Sequence, residues 1–269
     1  MGKFDGILFC TDLDGTLYDS NHAVSQENAD AIRYFQSEGG LFTFVTGRVP
    51  MTARSVYELV RPNAPFGCAN GAAIYDGENE RYLWHVTLPS EALTLLDHVY
   101  EQMPEMGIQP NSVSDIYFCR DSLANKRFRD HTGVPLKECH HRDIKEPILK
   151  VLFAHEDNEK IDEVVRLLRA HPDSEKYDFI RSEQTLYELL PKGVSKGTVL
   201  QKLAERLGVD MKNTVAVGDY DNDLSMIKTA GIGYAVANAL PSVKAVADRI
   251  TVSNDQHAIA AIVEELLHT

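Results

Sequence analysis

The chain has little of what marks secreted, membrane or nucleic-acid-binding proteins. Its four cysteines, Cys10, Cys68, Cys119 and Cys139, form no C-x-x-C pair. A chain of 269 residues needs no disulfide staples, so Cys10 and Cys68, set in apolar runs, read as small buried hydrophobes. No apolar run approaches the ~18 residues that a membrane helix requires. Met1 to Phe9 lacks the long apolar region of a signal peptide and reads as a first strand, so a cytoplasmic location is expected. Positive charge is scarce as well: 27 Lys and Arg stand against 40 Asp and Glu, a net charge of −13. Nucleic acid and anionic membranes are therefore excluded as expected partners, since both need a basic face. Nothing in the sequence calls for an obligate protein partner. The same acidity constrains any anionic substrate. A phosphate site here must be made positive locally, by a metal, by Lys or Arg, or by backbone N–H groups.

What is present is a 43% hydrophobic chain, ample for a core, without repeats or low-complexity segments. Its first part alternates strand and helix signals: strands over 7–11, 41–45 and 66–69, helices over 25–38 and 49–59. Such alternation implies parallel strands with helices on both faces. The middle differs. Strand-like runs over 81–86, 116–118, 149–154, 177–180 and 186–190, with helices near 90–102 and 158–168, suggest antiparallel pairing and a separate α+β unit. After Pro191 the alternation returns, with helices over 196–206, 222–229 and 257–267 and strands over 214–217, 232–235 and 250–252. The expected architecture is an α/β, Rossmann-like three-layer core around a parallel sheet, formed by residues 1–83 and 189–269. An inserted α+β domain occupies residues 84–188.

Four short strings carry the chemistry. Asp12-Leu13-Asp14-Gly15-Thr16 follows the first strand directly, and ligands in open α/β sheets bind beyond the carboxyl ends of strands. Asp-Gly alone is an ordinary turn; two carboxylates flanking it at a strand end are a candidate site. Thr46-Gly47-Arg48 follows the second strand, where a hydroxyl and a free N–H can hold a phosphate oxygen, or Thr46 can simply cap a helix. Lys196 lies in Gly193-Val194-Ser195-Lys196-Gly197. That order is wrong for a P-loop, and a cation at a helix start is unfavourable unless an anion sits nearby. Gly218-Asp219-Tyr220-Asp221-Asn222-Asp223 follows another strand and suits a hard cation with oxygen ligands, although it is too compact for an EF-hand. Asp12, Asp14, Asp219 and Asp223 at one sheet edge would repel one another unless a cation were present. Mg²⁺ fits, because it takes oxygen ligands, keeps several waters and binds through one or two carboxylates plus substrate phosphate. Cys139-His140-His141 with Asp143 mimics a metal cluster but lacks a second paired half and reads as a polar loop.

The order and identity of these four strings resemble the haloacid dehalogenase superfamily of phosphohydrolases. Ala69-Asn70-Gly71-Ala72, Gly193-Val194-Ser195-Lys196-Gly197 and Ala237-Asn238-Ala239 are similar to its Cof-type branch, subfamily IIB. The resemblance implies a phosphatase in which Asp12 is the nucleophile, forming a phosphoaspartyl intermediate, and Asp14 the general acid and then base. It implies Mg²⁺ held by the Asp12 side chain, the Asp14 backbone carbonyl and Asp219, with Asp223 supporting it directly or through water. Thr46, Gly47, Arg48 and Lys196 would serve the phosphoryl oxygens, and Asn222 would orient Lys196 or the metal shell. Only about thirty residues separate Asp14 from Thr46, too few for a domain, whereas about a hundred and fifty separate Thr46 from Lys196. The insertion therefore resembles the family's type-two cap, which closes over small phosphorylated metabolites. Sugar phosphates are the expected substrates. A phosphomutase or phosphotransferase on the same scaffold, and a non-catalytic receiver-like phosphate-binding module, are the competing readings.

Overall fold

The computed structural model describes residues 2–268; Met1 and Thr269, the outer ends of the expected core segments, lie outside the described residues. In chain order the elements are β1 Leu8–Thr11, α1 Gln26–Ser37, β2 Leu41–Phe44, α2 Pro50–Val60, β3 Phe66–Cys68, β4 Ala73–Asp76 and β5 Arg81–His85. Next come α3 Leu93–Gln102, β6 Gly107–Ser112, α4 Leu123–Thr132, β7 Ile148–Ala154, α5 Asn158–Arg169, β8 Tyr177–Glu183 and β9 Leu186–Pro191. The last are α6 Lys196–Leu207, β10 Thr214–Gly218, α7 Leu224–Thr229, β11 Ile232–Ala235, α8 Pro241–Lys244, β12 Arg249–Ile250 and α9 Ala258–Leu266. The chain divides into two compact units, Met1–Trp84 with Ser195–Thr269, and His85–Val194. Among the described residues, no helix is long and apolar enough to cross a membrane.

The first unit is built on a five-stranded parallel sheet in the order β12-β11-β10-β1-β2. Its central strand reads Leu8-Phe9-Cys10-Thr11, and all four residues are buried, because a central parallel strand is covered on both faces. On one face Leu8, Cys10, Val45 and Ala216 pack with Val199, Leu200 and Leu203 of α6 and Met226 of α7. On the other, Phe9 meets Phe35 of α1 edge-on at 5.8 Å and Phe42 of β2 at 5.5 Å. These are the three layers expected. The helices start where side chains can satisfy an orphan N–H: Ser25 accepts from Asn28 N, and Ser195 and Thr198 form a capping box at the head of α6.

Two expectations about this unit change. The Phe66 segment joins the main sheet only through a parallel bridge, Val45 to Gly67, and pairs antiparallel with β4 in a small sheet ordered β3-β4-β5. The strand over 81–86, assigned to the insertion, is therefore the outer strand of that small sheet. Tyr75 and Tyr82 pack there edge-on with ring centroids 5.0 Å apart.

The second unit is a four-stranded antiparallel sheet ordered β6-β7-β9-β8. Ile108, Val151, Phe153, Tyr187 and Leu189 face α3 and α5 and form its apolar core. The alternate positions are polar yet buried: Gln109, Asn111, Lys150 and Glu188. Their groups satisfy one another, with Lys150 Nζ 2.6 Å from Glu188 Oε2, Ser182 Oγ donating to Glu188 Oε1 at 2.6 Å and Asn125 Nδ2 donating to Gln109 Oε1 at 2.9 Å. The expected strand over 116–118 is absent as a strand; Ile116 and Phe118 make single bridges to Asn111 and Glu138. In the polar loop, His141 Nε2 lies 2.6 Å from Asp97 Oδ1, so this histidine is engaged by a carboxylate.

Candidate active site

All four strings lie just beyond the carboxyl ends of β1, β2 and β10 or at the head of α6. Asp12 N still donates to Val217 O at 3.0 Å, which fixes the first carboxylate relative to β10. The chain then turns sharply. Gly15 has φ +75°, and a β-carbon on it would stand 2.5 Å from Asp219 Oδ2, so glycine is required twice over, for backbone and for space. Thr16, fully buried, donates its hydroxyl to Asp219 Oδ1 at 2.8 Å and ties the first string to the fourth. Gly218 is equally constrained, since a β-carbon there would overlap Asp223 Cγ at 2.3 Å.

Lys196 is the hub. Its side chain is fully buried, and Nζ stands 2.7 Å from Asp12 Oδ1 and 2.7 Å from Asp223 Oδ1. Burial disfavours the ammonium, but the two carboxylates outweigh it and leave the group more basic than an ordinary lysine. They also answer the unfavourable placement of a cation at the first turn of α6. The second oxygen of Asp223 accepts from Asp219 N at 3.0 Å and Tyr220 N at 3.2 Å, so both of its oxygens are occupied by protein donors.

Asp12, Asp219 and Asp223 each place a carboxylate oxygen within 4.8 Å of the others. Burial pushes the Asp12 carboxyl well above the usual carboxylate range; Asp223 adds to the rise and Lys196 opposes it. Burial, again with Asp223, pushes Asp219 up to about 7. Hard oxygen donors, crowded and reluctant to ionise, are what a divalent cation would relieve, so this residue set can hold one.

The second string divides. Thr46 is buried, donates its N–H to Gly67 O at 3.0 Å, and accepts from Arg48 N at its hydroxyl at 3.1 Å. Arg48 turns elsewhere. Its Nε and Nη2 donate to the two Asp14 oxygens at 2.9 and 2.6 Å, a bidentate pair, while the guanidinium lies 5.1 Å over the Tyr18 ring. Of the expected residues, Asp12, Lys196, Asp219 and Asp223 converge directly. Asp14 presents its side chain to Arg48, outside the carboxylate cluster. Asn222 Nδ2 donates to Asn70 Oδ1 at 3.1 Å, so its amide nitrogen is turned toward the loop after β3.

Two asparagines carry no role predicted from the sequence. Asn70 bridges to Asn222, and Asn238 Nδ2 donates to Gly15 O at 2.8 Å, bracing the turn after β1. Both belong to the strings Ala69-Asn70-Gly71-Ala72 and Ala237-Asn238-Ala239, which reveal their presence but not their partners.

Comparison with known proteins agrees with this geometry. A family model of haloacid dehalogenase-like hydrolases matches residues 9–263. The phosphatase YwpJ of Bacillus subtilis is 28% identical over 286 aligned positions, covering 97% of this chain and 99% of that protein. The 5-amino-6-(5-phospho-D-ribitylamino)uracil phosphatase YcsE of the same organism is 31% identical, covering 94% of this chain and 92% of that protein. The crystal structure of a haloacid dehalogenase-like hydrolase from Bacteroides thetaiotaomicron superposes with a TM-score of 0.85 at 28% identity, over 97% of this chain and 99% of that one. The chain belongs to the haloacid dehalogenase superfamily, as a phosphatase of its Cof-type branch.

Proposed function

We propose that this phosphatase is a Mg²⁺-dependent hydrolase of small phosphorylated metabolites, sugar phosphates foremost, working through a phosphoaspartyl intermediate on Asp12. The observation that carries the reading is the placement of Lys196 Nζ at 2.7 Å from both Asp12 and Asp223, with Asp219 in the same carboxylate cluster. Mg²⁺ would be held by Asp12, Asp219 and the Asp14 carbonyl, with Asp223 as a strut, and would supply positive charge to the carboxylates and the phosphoryl oxygens. Lys196, the Thr46 hydroxyl and the Gly47 N–H would hold the transferring group.

Asp12 attacks phosphorus, forming an acyl phosphate as the ester P–O bond breaks, and Asp14 gives a proton to the departing oxygen. Asp14 then takes a proton from the water that attacks the acyl phosphate, releasing inorganic phosphate and restoring Asp12. In the present geometry both Asp14 oxygens are engaged by Arg48. Asp14 must therefore loosen at least one of these bonds to work, and Arg48 acts as its holder. The second unit, His85–Val194, is proposed as the cap that selects the leaving group. YcsE is named as a 5-amino-6-(5-phospho-D-ribitylamino)uracil phosphatase, which supports a small phosphorylated metabolite as the substrate here.

The test is turnover across sugar phosphates, pyridoxal phosphate, nucleotides and flavin mononucleotide, with Mg²⁺ and with chelator. Turnover should require the metal and vanish in Asp12→Asn. A variant Asp12→Asn that still hydrolyses the best substrate would refute the nucleophile assignment.

A further inference from the structure

Ala69, Asn70 and Gly71, the turn that follows β3, all have positive φ, at 52°, 53° and 100°. Glycine and asparagine accept such a backbone, but Ala69 holds it with a β-carbon, and all three residues are buried. Strain of this kind persists only where its surroundings enforce it, and it collects at functional sites. Here the surroundings are the second and third strings. Ala69 N donates to Arg48 O at 2.9 Å and Asn70 N to Thr46 O at 3.1 Å, while a β-carbon on Gly71 would stand 2.2 Å from Ser195 O, beside Lys196.

The Asn70 side chain, 1% exposed, is set against the fourth string by accepting from Asn222 Nδ2. That single bond leaves Asn70 Nδ2 and Asn222 Oδ1 buried with no partner among the described residues. With the amides so assigned the unused donor is on Asn70; reversing both would move it to Asn222. Both Asn70 amide atoms, Nδ2 and Oδ1, stand 3.1 Å from the point where a β-carbon on Gly47 would be; Oδ1 is taken by Asn222, so the unused group against the Thr46-Gly47 turn is the donor Nδ2. A buried NH₂ without an acceptor is costly, and an anion at this turn supplies the acceptor.

We propose that Asn70 is a further phosphoryl-oxygen ligand, donating from Nδ2 to the oxygen that lies beside Gly47. The proposal rests on the reading of this edge as a phosphoryl-transfer site. It explains why an asparagine is bent into the left-handed region there: the backbone posture aims the amide, and Asn222 fixes its rotation.

Two variants keep the backbone posture. Asn70→Gly removes the amide, and Asn70→Asp replaces the donor with an acceptor. With Mg²⁺ present and p-nitrophenyl phosphate as substrate, the competitive Ki of inorganic phosphate is measured for both, with melting temperatures and with Thr46→Val in parallel. Asn70→Gly should raise that Ki by about ten- to a hundredfold, the worth of a hydrogen bond to a charged group, and Asn70→Asp by more. Thr46→Val should raise it too. If Thr46→Val raises the Ki and Asn70→Gly leaves it within about twofold, Asn70 is only a brace between turns and the inference fails while the site stands. If neither moves it, phosphate binds elsewhere and the reading of the site falls first. Should both Asn70 variants fail to fold, a wild-type crystal with tungstate decides: Nδ2 within hydrogen-bond distance of a tungstate oxygen supports the proposal, and a greater separation overturns it.

Discussion

Removing a carboxylate from the cluster should stabilise the metal-free protein, and Asp219→Asn is the variant that shows it. The Asp219 carboxyl is raised from an ordinary 3.8 to about 7 by burial and by Asp223. An acid with a raised folded pKa binds more protons folded than unfolded. Its contribution to stability is therefore present below the unfolded pKa and is lost as pH rises through the folded one. Each pH unit between those two values is worth about 1.4 kcal/mol, so the cost is about 1.6 kcal/mol at pH 5 and approaches about 4 kcal/mol above pH 7. Asparagine never ionises, and its Oδ1 can still accept from Thr16, so Asp219→Asn escapes the cost and keeps the tie to the catalytic turn.

The assay is calorimetric melting of wild type and Asp219→Asn at pH 5 and pH 8, first in chelator and then in saturating Mg²⁺. In chelator the variant should melt higher than wild type, and its advantage should grow by about 2.5 kcal/mol between the two pH values, roughly 5–10 °C for a chain of this size. With Mg²⁺ at 100 times its Kd the variant's advantage at pH 8 should shrink from about 4 to about 1.3 kcal/mol. A metal at 100 times its Kd adds about 2.7 kcal/mol to the protein that binds it, and the variant has lost a ligand. A metal-free Asp219→Asn that melts below wild type at pH 8 would show that the carboxylates are not crowded at all. That result would remove the physical ground for a cation there.

Asp14→Asn keeps the backbone carbonyl but cannot move protons, so sugar-phosphate turnover should fall by about 10²–10⁴-fold. An aryl phosphate should give a rapid-quench burst of phenol as acyl phosphate accumulates, whereas Asp12→Asn should give none; equal losses on both substrates without a burst would remove Asp14 as proton carrier. Arg48→Lys keeps the charge but not the fork onto Asp14, so turnover of alkyl phosphates should drop about tenfold relative to aryl phosphates, with Mg²⁺ binding intact; a uniform loss on both would point to direct phosphate contact. Gly15→Ala should abolish most of the Mg²⁺-induced rise in melting temperature, because its β-carbon would displace Asp219. Gly208→Ala, at φ +69° with no atom within 4 Å of the added carbon, carries the same backbone strain and should lose stability while keeping the metal response.

The parts legible in the sequence were those with a local signature. The buried run Leu8-Phe9-Cys10-Thr11 announces a central parallel strand, and the acidic strings announce themselves by falling directly after such runs. The strand β6 was missed because Gly107-Ile108-Gln109-Pro110-Asn111-Ser112 is polar and contains a proline, yet all six residues are buried. Its Gln109 and Asn111 lie inside because other side chains answer them: Gln109 is partnered by Asn125 and Asn111, and Asn111 stands opposite Lys150 in the register. Two of those partners, Asn125 and Lys150, lie outside the strand. The 116–118 run failed in the opposite direction, being apolar enough for a strand but paired only by single bridges. Arg48 is the same lesson at the site. Its local string suggested a phosphate ligand, while its partner Asp14 lies 34 positions away. Nothing in sequence spacing could reveal that the fork closes on a carboxylate, or that Ala69 and Asn70 are left-handed.

The acidity of the chain and the chemistry of the site are then two sides of one arrangement. Asp12, Asp14, Asp219 and Asp223 confront two fixed cations, Lys196 and Arg48, so at full ionisation the edge holds two negative charges in excess. Neither cation is spare, because Lys196 is shared by Asp12 and Asp223, and Arg48 is committed to Asp14. A phosphate dianion approaching that edge alone would meet repulsion from the site and from a net charge of −13. On the proposed reading one divalent cation would bring the edge to neutrality, and the Thr46 hydroxyl, the N–H groups of its turn and the Lys196 ammonium would then act on phosphate without that opposition. On this reading the excess of carboxylate is not a defect that the enzyme overcomes. It would make phosphate binding conditional on the metal, and the same cation would favour the ionised form of Asp12, whose carboxyl burial pushes well above the usual carboxylate range.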